Sequence, residues 1–145
     1  MDGMQEKGQI VTDLHLHHVS ISVSDLERAS AFYRDVLELE PLKRPPFPSA
    51  GAWFGGETWQ VHLNPNLSEP KPAGAAINPT MPHFALRAPS FDYWIDKLAR
   101  HGFSENLPAD DPKKTKVDRD GIAKFPQLFL KDPDGNVIAI NASSL

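Results

Sequence analysis

Two stretches of the chain alternate apolar and polar residues in the same way. In the run beginning at His18, Val19, Ile21 and Val23 fall on one side and His18, Ser20 and Ser22 on the other. In the run beginning at His83, 65 positions later, Phe84, Leu86 and Ala88 take the apolar side and His83, Ala85 and Arg87 the polar one. A period of two marks a strand with one buried face, so each copy predicts a strand lying against the core. Ser24 and Pro89-Ser90 then give helix-start signals. Leu26, Ala29, Tyr33 and Val36-Leu37 recur at helical spacing, and Phe91, Trp94 and Leu98 do so before Gly102, which ends the second helix. These aromatic residues are expected in the core.

After each predicted helix come extended segments separated by turns. The first half has Pro41-Leu42, Ala52-Trp53-Phe54, the turn Gly55-Gly56 and the segment 59–63; the second has Gln127-Leu128-Phe129-Leu130, the turn Asp132-Pro133-Asp134-Gly135 and the segment 137–140. Matching the turns aligns Val61-His62-Leu63 with Ile138-Ala139-Ile140, an offset of 77, so the extra residues of the second half fall in the charged stretch 109–121, read as an exposed loop. Neither half is large enough to hide an apolar sheet face alone, so the two must pair. Between them lies a connector stiffened by Pro65, Pro70, Pro72, Pro79 and Pro82.

Composition narrows the chemistry. The length of 145 residues fits one domain or two half-domains sharing a core, with no room for a separate cofactor domain. A net charge of −4 offers no cationic field for nucleic acid or anionic membranes, so neither is an expected partner. No stretch approaches the roughly 20 apolar residues of a membrane span, and 1–13 lacks a signal-peptide core, so a cytoplasmic protein is expected. With no cysteine, any metal must bind through His, Asp, Glu or backbone oxygen.

The histidines supply that chemistry. His18 and His83 hold equivalent places on the polar faces of the repeated strands, and alternation around His62 sets it with Gln60 and Asn64, opposite Trp59, Val61 and Leu63. If the halves pair symmetrically these faces converge, and fixed neutral imidazoles suit Zn²⁺, Fe²⁺, Co²⁺ or Ni²⁺. Ala139, the repeat partner of His62, cannot ligate. His15 and His17 precede the first strand, with His17 on the apolar phase, so edge or surface packing is expected of them rather than ligation, and His101 ends the second helix. The Asp132-Pro133-Asp134-Gly135 turn lacks the later carboxylates of a calcium loop. On phase, Trp59 belongs to the core.

The run from His18-Val19 through Ser24-Asp25-Leu26, the run Ala31-Phe32-Tyr33-Arg34-Asp35-Val36-Leu37 and the turn Asp132-Pro133-Asp134-Gly135-Asn136 together resemble the vicinal oxygen chelate superfamily. That superfamily includes glyoxalase I, fosfomycin-resistance proteins, bleomycin-binding proteins and extradiol dioxygenases. The resemblance covers the chain from about His15 to Asn141. Lys43-Arg44-Pro45, Gly51-Ala52-Trp53-Phe54, Val61-His62-Leu63, Ile77-Asn78-Pro79 and Gln127-Leu128-Phe129 are similar to its glyoxalase-I-like subgroup.

The resemblance implies an α+β fold of two paired βαβββ modules, 14–64 and 82–142, forming a cupped mixed sheet, with 1–13 a tail and 65–81 the connector. It implies metal ligands at His18, His62 and His83, with Ala139 where the family usually has Glu, and Arg87, Trp53 and Gln60 as substrate contacts. The expected cofactor is one divalent ion (Zn, Fe, Ni, Co or Mn). The expected activity is of lyase, isomerase or dioxygenase type on a small oxygenated or conjugated substrate that chelates through adjacent oxygens. Lactoylglutathione lyase activity is disfavoured, because the missing Glu is a proton-transfer base in the family. The alternative is a binding protein of the bleomycin-resistance type, which sequesters a small molecule without catalysis and without metal. A homodimer is expected in either case, with the site within one chain or shared between two.

Overall fold

The computed structural model describes residues 12–65 and 76–145; most of the expected tail (1–13) and connector (65–81) lies outside them. Strand β1 (His18–Val23) leads into helix α1 (Leu26–Ala31), which continues as a wider π-turn at Phe32–Val36. Strands β2 (Glu40–Leu42), β3 (Ala52–Gly55) and β4 (Gln60–Pro65) follow. The second half repeats this order with β5 (Phe84–Arg87), α2 (Phe91–Arg100), β6 (Lys116–Asp118), β7 (Gln127–Lys131) and β8 (Val137–Asn141).

The strands form two four-stranded mixed sheets, ordered β1-β4-β3-β2 and β5-β8-β7-β6, in which β1 and β5 run parallel to β4 and β8 and the other pairings are antiparallel. The fold is α+β. In the first sheet Val19 pairs with Val61 and Ser20 with His62; in the second Phe84 pairs with Ile138 and Ala85 with Ala139. The register therefore gives Ala139 the place in the second sheet that His62 has in the first, as the two repeat offsets require.

The apolar faces meet the helices as alternation predicts. Val23, Val61, Leu63 and Phe54 pack with Ala29, Tyr33 and Leu37 on one side, and Leu128, Leu130, Ile138 and Ile140 with Phe91 and Leu98 on the other. Each such side chain removed from water contributes about 1.5–3 kcal/mol. Asp25, rather than Ser24, caps α1 by accepting from Arg28 N–H at 3.1 Å, which leaves Ser24 N–H to bond Asp134. Ser90 caps α2 as expected. Gly102, at φ +89°, turns the chain out of α2 while Phe103 N–H bonds Leu98 O.

Two expectations are corrected. The stretch 109–121 is not all exposed loop: it holds β6, paired to β7, and buries Thr115. Trp59 is 38% exposed rather than in the core, because it sits in the turn before β4, where strand alternation has not begun.

The halves dock through α1 and the end of β1 on one side and α2, the segment after it and the β7–β8 turn on the other. Tyr33 Oη–H donates to Asp132 Oδ2 at 2.8 Å, Asn136 Nδ2–H donates to Ser22 O at 3.0 Å, and the Phe32 and Phe103 rings lie 6.2 Å apart. Glu38, in the left-handed region at φ +57°, accepts from Tyr93 Oη–H at 2.5 Å and pairs with Lys97 Nζ at 3.2 Å.

Candidate functional site

The register of the first sheet sets a polar face. His18 lies opposite Gln60, Ser20 opposite His62 and Ser22 opposite Asn64, while His62 also faces Trp53 on β3. Directly paired residues project to the same side of a sheet, so these side chains share one surface. Their rings are layered: His18 stacks on His62 with centroids 4.1 Å apart, and His62 stacks on Trp53 at 4.0 Å and 2°. Phe47 lies beside this stack, its ring tilted 49° to that of Trp53 with centroids 6.1 Å apart. Asn64 Nδ2–H bonds Ser20 Oγ beside it.

His62 is 8% exposed, and burial, followed by the neighbouring His18, His17 and Arg44 charges, holds its pKa below the ordinary imidazole value. It is thereby kept neutral, the form that ligates a metal. Its Nε2 lies 2.8 Å from Gln60 Oε1, an acceptor, so Nε2 carries the hydrogen in this arrangement. His18 Nδ1 meets His17 Nδ1 at 2.9 Å. His17 is exposed at the surface, just before β1, and is bound to its neighbour's ring.

The second sheet carries the other predicted residues on its corresponding face. His83 Nδ1–H donates to Met81 O at 2.8 Å, leaving Nε2 with its lone pair, and the ring stands edge-on to Phe129 at 5.4 Å. A carbonyl bound to one ring nitrogen is how ligating histidines are oriented. Arg87 Nε–H bonds Asn141 Oδ1 at 2.5 Å, and its guanidinium lies over Phe125 at 5.0 Å. Ala139 is fully buried between Ala85 and Phe129 in the register. Lys131, which the sequence reading did not single out, is buried on the same face, and burial pushes its pKa down. Only its alternation with Phe129 could have pointed to it.

The three histidines are thus not gathered within one chain. His18 and His62 are together and His83 is on the other sheet, and no group of three or more His, Asp or Glu among the described residues could hold an ion. A cavity of about 580 Å³ opens between β1 and β5, lined by Ser20, Ser22, Met81, His83, Lys131 and Asn136, and it includes neither His18 nor His62. The donors are imidazoles, the type a divalent first-row transition ion takes, and that of His83 is already oriented by a carbonyl.

Two repeated modules, each a sheet backed by a helix, with imidazoles on the opposite sheet face, define a class of small-molecule and metal-binding folds. A sequence profile of the Glyoxalase/Bleomycin resistance protein/Dioxygenase superfamily matches residues 15–140, and the chain belongs to that superfamily. It is similar to Glyoxylase I 4 of Arabidopsis thaliana, 33% identical over 136 residues that cover 90% of this chain and 72% of that protein. It also resembles the metallothiol transferase FosB of Shouchella clausii, 24% identical over 90% of this chain and 81% of that one. Among solved structures, a glyoxalase family protein from Bacillus anthracis superposes with a TM-score of 0.69 at 19% identity, covering 89% of this chain and 94% of the other. No helix among the described residues is long and apolar enough to cross a membrane.

Proposed function

We propose that the protein is a metal-dependent lyase, isomerase or dioxygenase that binds a small substrate through two adjacent oxygens, at a site formed where the His18–His62 face of one copy meets the His83 face of a second copy. The supporting observation is the split itself: His18 and His62 are stacked on one sheet, and His83 presents Nε2 from the other. A symmetric dimer brings each half to its counterpart twice. When bound, the ion supplies Lewis-acid stabilisation of charge developing on the substrate oxygens.

The chain's own residues do the rest. Arg87, held by Asn141 and Phe125, offers its remaining N–H groups to a substrate carboxylate. Trp53 walls the cup and fixes the His62 ring, and Gln60 holds His62 Nε2. Ala139 has no atom to take a proton, so the reaction proceeds without a carboxylate base at that position, and lactoylglutathione lyase chemistry does not suit this chain. The apolar wall of Ala139, Ala85 and Phe129 favours a second reading, sequestration of a ligand without turnover.

Metal uptake by protein without a His-tag tests the proposal. His18→Ala, His62→Ala and His83→Ala should each weaken binding of Co²⁺ or Zn²⁺ by about tenfold or more, while His15→Ala does little. Unchanged metal content in all three variants refutes the metal site and leaves sequestration.

A further inference from the structure

The outer edge of β1 is tied down at one end and open at the other. Gln60 N–H donates to His17 O, and in a parallel ladder alternate residues turn their backbone groups to the partner strand. Val19, Ile21 and Val23 therefore face β4, while Ser20, Ser22 and Ser24 face away from it. Side chains of the β7–β8 turn hold part of that outer row: Asp134 accepts from Ser24 N–H and Asn136 Nδ2–H donates to Ser22 O, at 3.0 Å each. The next group along, Ser22 N–H, is turned to the cavity of about 580 Å³ that Ser20 and Ser22 line.

Lys131 lines the same cavity. It pairs with Val137, the neighbour of Asn136, which ties it to the Ser22 end of β1. At 4% exposure it has given up most of its water, and burial lowers its pKa against the charges of Asp111 and Asp110, which favour the cation. Met81, Phe84 and Val137 supply apolar walls, and the volume is that of a small-molecule pocket.

We propose that this cavity binds a carboxylate on an aromatic or branched apolar body, its oxygens taken by the Lys131 ammonium and Ser22 N–H and its body covered by Met81, Phe84 and Val137. An anion held here offsets what the ammonium loses on burial, and a charge-assisted hydrogen bond is about twice as strong as a neutral one. The apolar body adds the burial that a bare anion lacks. The site needs no ion and no second copy, and its walls leave out the stacked His18 and His62. It therefore stands apart from the metal reading above.

Calorimetric titration with naphthoate and its neutral analogue naphthamide, in EDTA so that no metal takes part, tests the site. The wild type should bind the carboxylate about tenfold more tightly than the amide. Lys131→Met, which keeps the bulk of the stem without its charge, should remove that preference and leave amide binding as it was, and Lys131→Arg should retain it. In nitrogen–proton correlation spectra the Ser22 amide signal should move as naphthoate is added. Thermal melting checks that the variants fold, and the wild-type comparison and the Ser22 signal decide the matter if Lys131→Met does not. Equal affinity for the two ligands, no binding of either, an undiminished preference in folded Lys131→Met, or a Ser22 signal that stays in place while naphthoate binds would each overturn the assignment.

Discussion

Tyr33 joins the two modules through a single hydroxyl. Its ring is fully buried, and its Oη–H donates to Asp132 Oδ2, which also accepts from Asn136 Nδ2–H, while Asp132 Oδ1 accepts the N–H groups of Asp134 and Asn136 at 2.9 Å each. Burial raises the pKa of both groups, and these donors pull that of Asp132 back. Tyr33→Phe should cost about 1.5–3 kcal/mol at neutral pH, the range for a hydrogen bond to a charged group, measured by urea denaturation. The sign with pH follows from the raised native pKa. Between the ordinary carboxylate value and the native one, the folded chain binds more protons than the unfolded, so Asp132 favours folding in acid and loses that contribution as pH rises. The cost of Tyr33→Phe should therefore shrink toward pH 4, and a loss independent of pH would mean that the ring's packing, not its hydroxyl, is what matters.

At the scale of elements, the β3–β4 hairpin decides the shape of the histidine face. Gly55 ends β3 at φ +140°, and a Cβ there would lie 2.4 Å from Trp59 O and 2.8 Å from Gln60 Cα. Gly55→Ala forces the hairpin apart and should cost about 3 kcal/mol in thermal or urea unfolding, from overpacking and backbone strain together. It should also loosen the Trp53 stack, read as a change in tryptophan fluorescence. Gly56→Ala, whose nearest contact would be 3.6 Å away, is the control and should unfold like the wild type. The paired strands and helices were legible in the sequence because alternation and helical spacing report directly which face is buried. Strand β6 was not, since Lys116-Val117-Asp118 gives one apolar residue between two charges, too short a pattern to separate from a loop. Nor was the exposure of Trp59, because phase extrapolated past a turn carries no information.

For the whole molecule, the repeat placed His18, His62 and His83 on corresponding faces, but how the halves sit together was beyond it. That arrangement is set by contacts between residues far apart in the chain, Tyr33 with Asp132 and Glu38 with Tyr93 and Lys97, which no local period encodes. They join α1 and the segment after it to α2 and the β7–β8 turn, and leave His83 apart from the stacked His18 and His62. A shared site predicts complementation. His62→Ala and His83→Ala proteins, unfolded together and refolded, should regain about one quarter of wild-type metal sites, because random pairing makes half the dimers mixed and each mixed dimer restores one of its two sites. No regain, with mixed dimers shown by mass spectrometry, would place each site inside one chain.

The outermost strands have a further consequence for the chain at high concentration. β1, β2, β5 and β6 end their sheets, and each presents unbonded backbone groups of the kind that template fibrils. Their residues oppose that growth. β2 contains Pro41 between Glu40 and Leu42, β6 has Lys116 and Asp118 around one valine, and β5 is four residues long between Pro82 and Pro89, neither of which has an N–H to offer a neighbour. β1, at six residues, is the longest of them, and its polar face of His18, Ser20 and Ser22 denies an added strand a dry surface. The termini of both sheets are thus poor templates for indefinite extension.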